Sequence, residues 1–288
     1  MQKKIIIIIT FVILFAGCED PVPRDYIKTT VVEALLIVGE PIRNIRITNT
    51  LPLTTYYDYN NAIVSNAKVY IYEDEQEFEL TFRYSDVLGK SGYYFSDTNY
   101  LVKKNTTYHL KIILPDGRNV TGTTTTPDTI AWIKRMPQYV QYPSDTINIP
   151  PDTSFTTEWT KANTNNAFYI ISITCLDTLE YGKYLSATTD ELNRRTYSPH
   201  RHERSYRELS STTAAMLTRS PLMWRTFKWF GSHSMKVYVP DKNYEIWFMY
   251  YWMAGNLNEK AYSVEGCAGY FGSVFALEDK FFVLKNQP

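Results

Sequence analysis

Residues 108–126 read YHLKIILPDGRNVTGTTTT, and this stretch decides the fold. Apolar and polar residues alternate over 108–112, as they do in a strand with one buried face. Pro115-Asp116-Gly117 follows, and such a tripeptide between two strand-like runs is typical of a hairpin turn. The sequence therefore predicts two antiparallel strands joined by a tight turn.

Similar strand-like runs precede this hairpin at intervals of roughly ten residues. They lie at 30–38, 45–48, 69–72, 78–82 and 93–95. A series of short strands separated by turns is typical of an antiparallel sandwich. We therefore predict an N-terminal Ig-like or prealbumin-like β-sandwich over residues 28–127.

Residues 128–288 predict a second antiparallel β-sandwich, so the expected fold class is all-β. Its strands are expected at 154–160, 167–176, 235–239, 244–253 and 271–284, with the first two paired across a polar turn. The aromatic run 244–252 is apolar on both faces, which is typical of a central strand. Residues 188–231 break the strand period, and we expect an insertion there with a short helix over 210–217.

The composition excludes several classes of protein. The 288 residues include 30 basic and 30 acidic side chains, which gives no electrostatic basis for binding nucleic acid. The sequence contains no GxSxG, HExxH or DxDxDG pattern, and the adjacent His200 and His202 lack a third ligand at motif spacing. We therefore predict no enzyme activity, no cofactor and no metal site.

Residues 1–17 have the form of a secretory signal peptide. Lys3 and Lys4 precede an apolar run over residues 5–16, and two small residues then precede Cys18. This ending resembles a bacterial lipobox, which implies cleavage before Cys18 and acylation of its sulfur. Acyl chains anchor a protein to a bilayer, because each buried CH₂ contributes roughly 0.8 kcal/mol.

Residues 18–27 are then expected to form a lipidated tether. Pro21 and Pro23 favour an extended chain, as a spacer requires. Glu19-Asp20 resembles the surface-export signal of Bacteroidetes lipoproteins. This resemblance implies a protein anchored in the outer membrane and facing the cell exterior.

Several short motifs resemble those of known families. The segments 66–71, 91–94, 107–110 and 115–118 resemble prealbumin-like and carboxypeptidase-regulatory-like sandwiches. Residues 266–273, GCAGYFGS, are similar to the glycine-rich end of a Bacteroidetes lipoprotein family, a domain of unknown function often encoded beside TonB-dependent receptors. The resemblance implies a non-enzymatic accessory subunit of an outer-membrane nutrient uptake complex, with a TonB-dependent receptor as its partner.

Two other functions fit the same sequence: a stand-alone glycan-binding surface lipoprotein, and a structural adhesin or fimbria-like subunit. For the glycan-binding function, the candidate binding residues are Tyr56, Tyr57 and Tyr59, which lie beside Asp and Asn in a polar loop. Such rings either bind a sugar or peptide ligand or pack onto their own sandwich.

The predicted insertion supplies further candidates for partner binding. Arg201, Arg204 and Arg207 either meet an acidic partner or glycan, or form a solvated basic surface. Trp224 and Trp229 flank basic residues and are candidates for a patch that faces a partner.

Covalent modification is expected at further positions. Cys175 and Cys267 either form a disulfide in an oxidising envelope or remain two buried thiols. Asp-Thr-aliphatic triplets resemble the O-glycosylation motif of Bacteroidetes envelope proteins, which implies modified side chains at Thr129, Thr146 and Thr178.

Overall fold

Strands make up most of the described chain. The computed structural model describes residues 26–286 except 53, 57, 85–91, 144–151, 164–167, 197–209, 254 and 256–258. The strands are β1 (Thr30–Ile37), β2 (Arg46–Asn49), β3 (Lys68–Glu73), β4 (Gln76–Arg83), β5 (Tyr93–Phe95), β6 (Thr107–Ile113), β7 (Asn119–Thr125), β8 (Trp132–Lys134), β9 (Tyr139–Gln141), β10 (Asp152–Trp159), β11 (Tyr169–Cys175), β12 (Ser210–Ala215), β13 (Arg219–Leu222), β14 (Gly231–Pro240), β15 (Val264–Glu265) and β16 (Ala268–Leu284). The helices are α1 (Tyr59–Ala62) and α2 (Lys242–Phe248), the latter followed by a π-helical turn (Met249–Met253), and 3₁₀ turns occur at Gly182–Tyr184, Trp224–Thr226 and Glu259–Ala261.

The predicted hairpin is confirmed as β6 and β7. The two strands pair antiparallel along their whole length, and alternate residues of β6 are buried, as its period predicts. Gly117 takes a positive φ of 86° in the turn, which glycine adopts without steric cost. The hairpin lies within a six-stranded sheet of order β15-β7-β6-β3-β4-β5, which is one layer of the first sandwich.

A seven-stranded sheet runs through both sandwiches. Its order is β12-β11-β14-β16-β1-β2, and β9 also pairs with β16. β16 pairs parallel with β1 from Ala268 to Val274, and antiparallel with β14 from Val274 to Val283. The single long strand β16 therefore belongs to both sandwiches, and the second sandwich lies beyond the C-terminal end of β1.

Each sandwich has its own hydrophobic core, so the all-β sandwich class is confirmed. The first core lies between the six-stranded sheet and the β1, β2 and β16 part of the larger sheet, and it buries Tyr94, Tyr108 and Phe271. The second core lies under a three-stranded sheet of order β13-β10-β8, and it buries Trp159 and Phe230.

The two sandwiches do not divide the chain at residues 127–128 as predicted. β15 and the first half of β16 come from the C-terminal end of the chain, yet Val264 and Phe271 lie in the first core. The period of two in a sequence identifies strands but does not identify the partners with which they pair. The boundary between the two sandwiches therefore could not be predicted from the alternation of apolar and polar residues.

The prediction of a central strand over 244–252 is wrong. These residues form α2 and the π-helical turn. Tyr244, Trp247, Phe248 and Tyr251 follow the spacing of one helical face, and Asp241 supplies the N-cap of the helix. The local cap and the helical spacing outweigh the strand propensity of the aromatic residues.

Two predictions about the second sandwich are also wrong. Residues 210–215 form β12 rather than a helix, because pairing with β11 along the whole strand outweighs the helix preference of two alanines. β10 and β11 form as strands but do not pair with each other. β10 pairs with β8 and β13, whereas β11 lies between β12 and β14 in the larger sheet.

The carboxylate of Glu73 is buried at the end of β3. One oxygen accepts a hydrogen bond from Lys103 Nζ at 2.8 Å, and the other accepts one from the Tyr100 hydroxyl. Burial alone would raise the pKa of Glu73, but these hydrogen bonds outweigh it and hold the pKa below its usual value. A lowered folded-state pKa stabilises the folded protein above the ordinary pKa, and this contribution is lost as the pH falls.

We expect Glu73→Gln to lower the free energy of unfolding by about 1–2 kcal/mol near neutral pH, because it removes charge-assisted hydrogen bonds. The difference from wild type should shrink as the pH falls through the lowered pKa, where Glu73 itself becomes protonated. Urea unfolding near neutral pH, and again at an acidic pH below the lowered pKa of Glu73, measures both effects. Glu75→Gln, at an exposed position in the adjacent turn, is the control, and equal losses in the two variants would contradict the prediction.

Candidate ligand cleft

An arm formed by residues 241–265 connects β14 to β16 and lies against the first sandwich. It contains α2, the π-helical turn, the 3₁₀ turn at Glu259–Ala261 and β15. α2 begins at Lys242 because the carboxylate of Asp241 accepts a hydrogen bond from Tyr244 N at 2.8 Å. The Trp247 ring of α2 packs on the Tyr270 ring of β16, with centroids 4.8 Å apart.

Polar contacts fix both ends of the arm to β7. At the start, Asp241 Oδ2 accepts a hydrogen bond from Thr124 Oγ1 at 2.6 Å, and Thr124 Oγ1 lies 2.9 Å from Ser273 Oγ of β16. At the end, β15 pairs antiparallel with β7. Both ends of the arm are therefore attached beside the outer face of the six-stranded sheet.

A cleft of about 670 Å³ lies between this arm and the sheet. The side chains of its floor come from β3, β6 and β7: Tyr72, His109, Lys111, Thr121 and Thr123. The side chains of its wall come from the arm: Asn243, Ile246, Lys260, Tyr262, Ser263 and Glu265. The volume falls within the range of roughly 300–1,000 Å³ that small-molecule sites occupy.

Hydrogen bonds hold several of these side chains in place before any ligand arrives. Asn243 Nδ2 donates to the carbonyl oxygens of Thr123 at 2.7 Å and Phe271 at 2.9 Å. His109 Nδ1 lies 3.0 Å from Thr123 Oγ1. Polar groups that are already ordered lose little conformational entropy on binding. The cleft is therefore suited to recognition of a polar ligand.

The cleft combines aromatic rings with few acidic groups. A hydrogen bond to Glu77 raises the pKa of Tyr72 to about 12, so its hydroxyl stays protonated while its ring borders the cleft. Glu265 is the one carboxylate in the described lining. Among the described residues, no group of three His, Cys, Asp or Glu side chains is placed to hold a metal ion.

A second cavity of about 410 Å³ adjoins the cleft. It is lined by residues of β7 and by the start of the arm, and it shares Thr123 and Asn243 with the cleft. Asn243 therefore stands between two concave surfaces.

Tyr56 and Tyr59, two of the tyrosines predicted from the sequence, are not among the residues that line the cleft. Tyr56 lies in the β2–β3 connection with 91% of its side chain exposed. Tyr59 begins α1, and its hydroxyl donates to Gly92 O at 3.5 Å. Tyr57 lies outside the described residues.

The prediction that Trp224 and Trp229 form a partner-facing patch is wrong. Their side chains are only 4% and 2% exposed. Trp224 packs in the second core with its ring 5.3 Å from that of Tyr142, and the Arg195 guanidinium lies 5.5 Å from the centre of the Trp229 ring. Basic residues beside a Trp in sequence give no information about which side chain faces the core.

Several predicted positions lie outside the described residues: Cys18, Thr146, Arg201, Arg204 and Arg207. Thr129 is exposed and Thr178 is half-buried. Acylation of Cys18 and O-glycosylation of the threonines stay predictions.

Cys175 and Cys267 are free thiols rather than a disulfide. Cys175 pairs through β14 with the far end of β16, whereas Cys267 directly precedes β16. The two cysteines are therefore separated by roughly 45 Å along this strand, which a disulfide cannot span. Burial raises the pKa of each thiol to about 11.

Sequence reasoning missed the whole cleft. Its lining comes from separate strands and from the arm, and no local motif connects them. One signal was present: His109, Lys111, Thr121 and Thr123 occupy the exposed positions of the predicted hairpin. The wall beside these residues is formed by the arm. It was not predicted, because residues 244–253 were expected to form a strand.

The fold and the cleft define a protein of two β-sandwiches with a polar cleft formed by an arm on the first. The chain belongs to the family described as Domain of unknown function (DUF4249), whose model matches residues 20–265. No curated protein matches the sequence. No helix among the described residues is long and apolar enough to cross a membrane.

Solved structures give weak similarities. The crystal structure of DIP-gamma IG1+IG2 aligns at 8% identity and a TM-score of 0.20, with 92% of this chain and 100% of that chain covered. An I-band fragment of titin aligns at 12% identity and a TM-score of 0.19, with 89% of this chain and 65% of that chain covered.

Proposed function

We propose that this protein is a non-enzymatic lipoprotein of the bacterial outer membrane and an accessory subunit of a nutrient uptake complex built on a TonB-dependent receptor. The signal-like residues 1–17, the small residues before Cys18 and the family resemblance of the glycine-rich segment 266–273 support this proposal. A preformed polar cleft supports a role in recognising a ligand.

The observation that carries the proposal is the attachment of the chain to the first sandwich at Tyr26, eight residues after Cys18 in the sequence. The Tyr26 hydroxyl donates to Thr50 O, and Thr29 N donates to Thr50 Oγ1 at 3.0 Å, so the chain is held to the sandwich from Tyr26 onward. Even fully extended, the chain from Cys18 to Tyr26 spans at most roughly 28 Å. An acylated Cys18 therefore keeps the first sandwich near the bilayer.

The path of β16 supports an orientation for the anchored protein. β1 begins close to the tether and runs parallel with β16, which continues into the second sandwich. The 17 residues of β16 extend roughly 55 Å. The start of β1 is thus the anchored end, and the second sandwich projects away from it.

We expect Cys18→Ala to move the protein from the membrane fraction to the soluble fraction of cells that express it, because the acyl chains are the proposed anchor. Cys267→Ala, which changes another cysteine, is the matched control and should remain in the membrane fraction. Immunoblots of the two fractions measure the distribution. A Cys18→Ala protein that stays in the membrane fraction would show that another element anchors it.

The receptor itself is tested by co-purification. The wild-type chain, tagged at its C-terminus and solubilised from membranes in mild detergent, should recover a TonB-dependent receptor in stoichiometric amount. Recovery of the lipoprotein alone would refute the accessory role, and would favour the stand-alone glycan-binding protein if the purified chain still binds a glycan.

A further inference from the structure

The floor of the cleft presents hydroxyl and basic groups in a regular array. His109 and Lys111 alternate with buried residues along β6, and Thr121 and Thr123 alternate with buried or half-buried residues along β7, so all four side chains are exposed on one face. Hydroxyl, imidazole and ammonium groups at strand spacing provide donors and acceptors over an extended surface. Such a floor matches a ligand that carries many hydroxyl groups.

Two aromatic rings border this floor. Tyr72 lies on β3 opposite His109 of β6 and lines the cleft. Tyr262 lies on the facing wall and is half-buried. Flat rings beside polar groups suit the apolar faces of sugar rings.

A peptide strand has no place to pair at this site. The edge of β7 is already occupied, since β15 pairs with it at Gly122 and Thr121. Further along β7, Thr123 O accepts a hydrogen bond from Asn243. Peptides that bind to sheets usually gain affinity by adding a strand to an open edge, and here that edge is covered.

The charge of the lining favours an anionic ligand. Lys111 and Lys260 are the two lysines of the described lining, and Glu265 is its one carboxylate. Lys111 forms no ion pair with any residue that the structure describes. Among the described residues, the ammonium group of Lys111 is therefore available for a carboxylate or sulfate of a ligand.

We propose that the cleft between the arm and the six-stranded sheet binds an acidic oligosaccharide. Its sugar rings lie over Tyr72 and Tyr262, its hydroxyl groups bond the threonines of β7, and its anionic groups meet Lys111 and Lys260. This inference deepens the proposed recognition function by naming a ligand class and rests on it, but it does not require the receptor.

Calorimetric titration of the purified full-length protein with oligogalacturonate tests the proposal. Lys111→Gln should weaken binding roughly ten- to hundredfold, because it removes a charge-assisted contact, and Lys260→Gln should act in the same direction. Glu265→Gln should strengthen binding, since it removes the opposing charge. Lys134→Gln, at an exposed position on β8 of the second sandwich, is the control and should bind as wild type does.

Neutral maltotetraose should bind more weakly than oligogalacturonate, and added salt should weaken only the acidic ligand. Three results would overturn the proposal: no binding of oligogalacturonate by wild type, equal affinity in Lys111→Gln and Lys134→Gln, or equal binding of an oligo-glutamate peptide at the same site. A failed titration with a co-purifying receptor would refute only the ligand, whereas a successful titration without a receptor would refute only the accessory role.

Discussion

Gly269→Ala should lower the free energy of unfolding by more than about 4 kcal/mol or prevent folding altogether. A Cβ at this position would lie 1.9 Å from Val32 O and 2.7 Å from Val32 N. Both atoms belong to the backbone of β1, so the clash cannot be relieved by rotating a side chain. Gly269 also has a φ of 116°, which side chains of L-residues rarely adopt.

The effect should be large because β1 and β16 join the two sandwiches. Their parallel pairing runs from Val31 and Ala268 to Ile37 and Val274, and a displaced β1 would disturb the core around Phe271. Urea unfolding followed by tryptophan fluorescence measures the loss as a lower transition midpoint.

Gly39→Ala is the matched control for this experiment. Gly39 also has a positive φ, of 81°, but a Cβ there would meet no atom within 4 Å. It should therefore cost only about 1–2 kcal/mol, the strain of a left-handed backbone. Equal losses in the two variants would show that backbone strain, rather than contact with β1, determines the effect.

The strands of the first sandwich were predictable because each contains its own signal. The hairpin of β6 and β7 combines alternation with a Pro-Asp-Gly turn, and β1 alternates buried and half-buried positions. These patterns depend on neighbouring residues alone. Pairing partners depend on contacts between distant segments, which explains why β15 and β16 were assigned to the second module.

The sequence of the arm contains a helix signal, but its aromatic content led to the prediction of a strand. Aromatic residues favour strands on average, and the run Tyr244–Trp252 has no polar face. The spacing of Tyr244, Trp247 and Tyr251 nevertheless fits a helix that begins after Asp241. The helix buries Trp247 against Tyr270, so tertiary packing supports the local cap.

The cleft was beyond the reach of the sequence because its two sides come from distant segments. Lys111 lies on β6 and Lys260 lies on the arm, and no spacing rule relates them. The tyrosine loop and the tryptophan pair were predicted to bind a ligand or partner because of their residue types. Residue type alone does not determine which side chains are buried. Trp229 is 2% exposed although it neighbours a lysine in the sequence.

Asp241→Ala should lower the free energy of unfolding by about 2–4 kcal/mol and weaken ligand binding in the cleft. It removes the N-cap of α2 together with the acceptor of the Thr124 hydroxyl, both inside a buried contact between β7, the arm and β16. Asn243 directly follows the start of this helix, so a frayed helix would also displace the cleft wall. Urea unfolding and the oligogalacturonate titration measure the two effects.

Asp241→Asn removes the charge of this side chain but keeps its shape. Burial raises the pKa of Asp241 above its ordinary 3.8, although Thr124 and Tyr244 donate hydrogen bonds to it. The folded protein therefore keeps this proton at a pH where the unfolded chain has released it. The part of the stability that depends on this proton is fully present below the ordinary pKa and is lost as the pH rises through the raised pKa.

An Asn at this position resembles the protonated acid and does not titrate. Asp241→Asn should therefore match wild type below about pH 4 and become more stable relative to wild type as the pH rises. It should also retain the cap, because its side-chain oxygen can accept the Tyr244 N–H. A pH-independent loss equal to that of Asp241→Ala would show that the charged carboxylate itself holds the arm on β7.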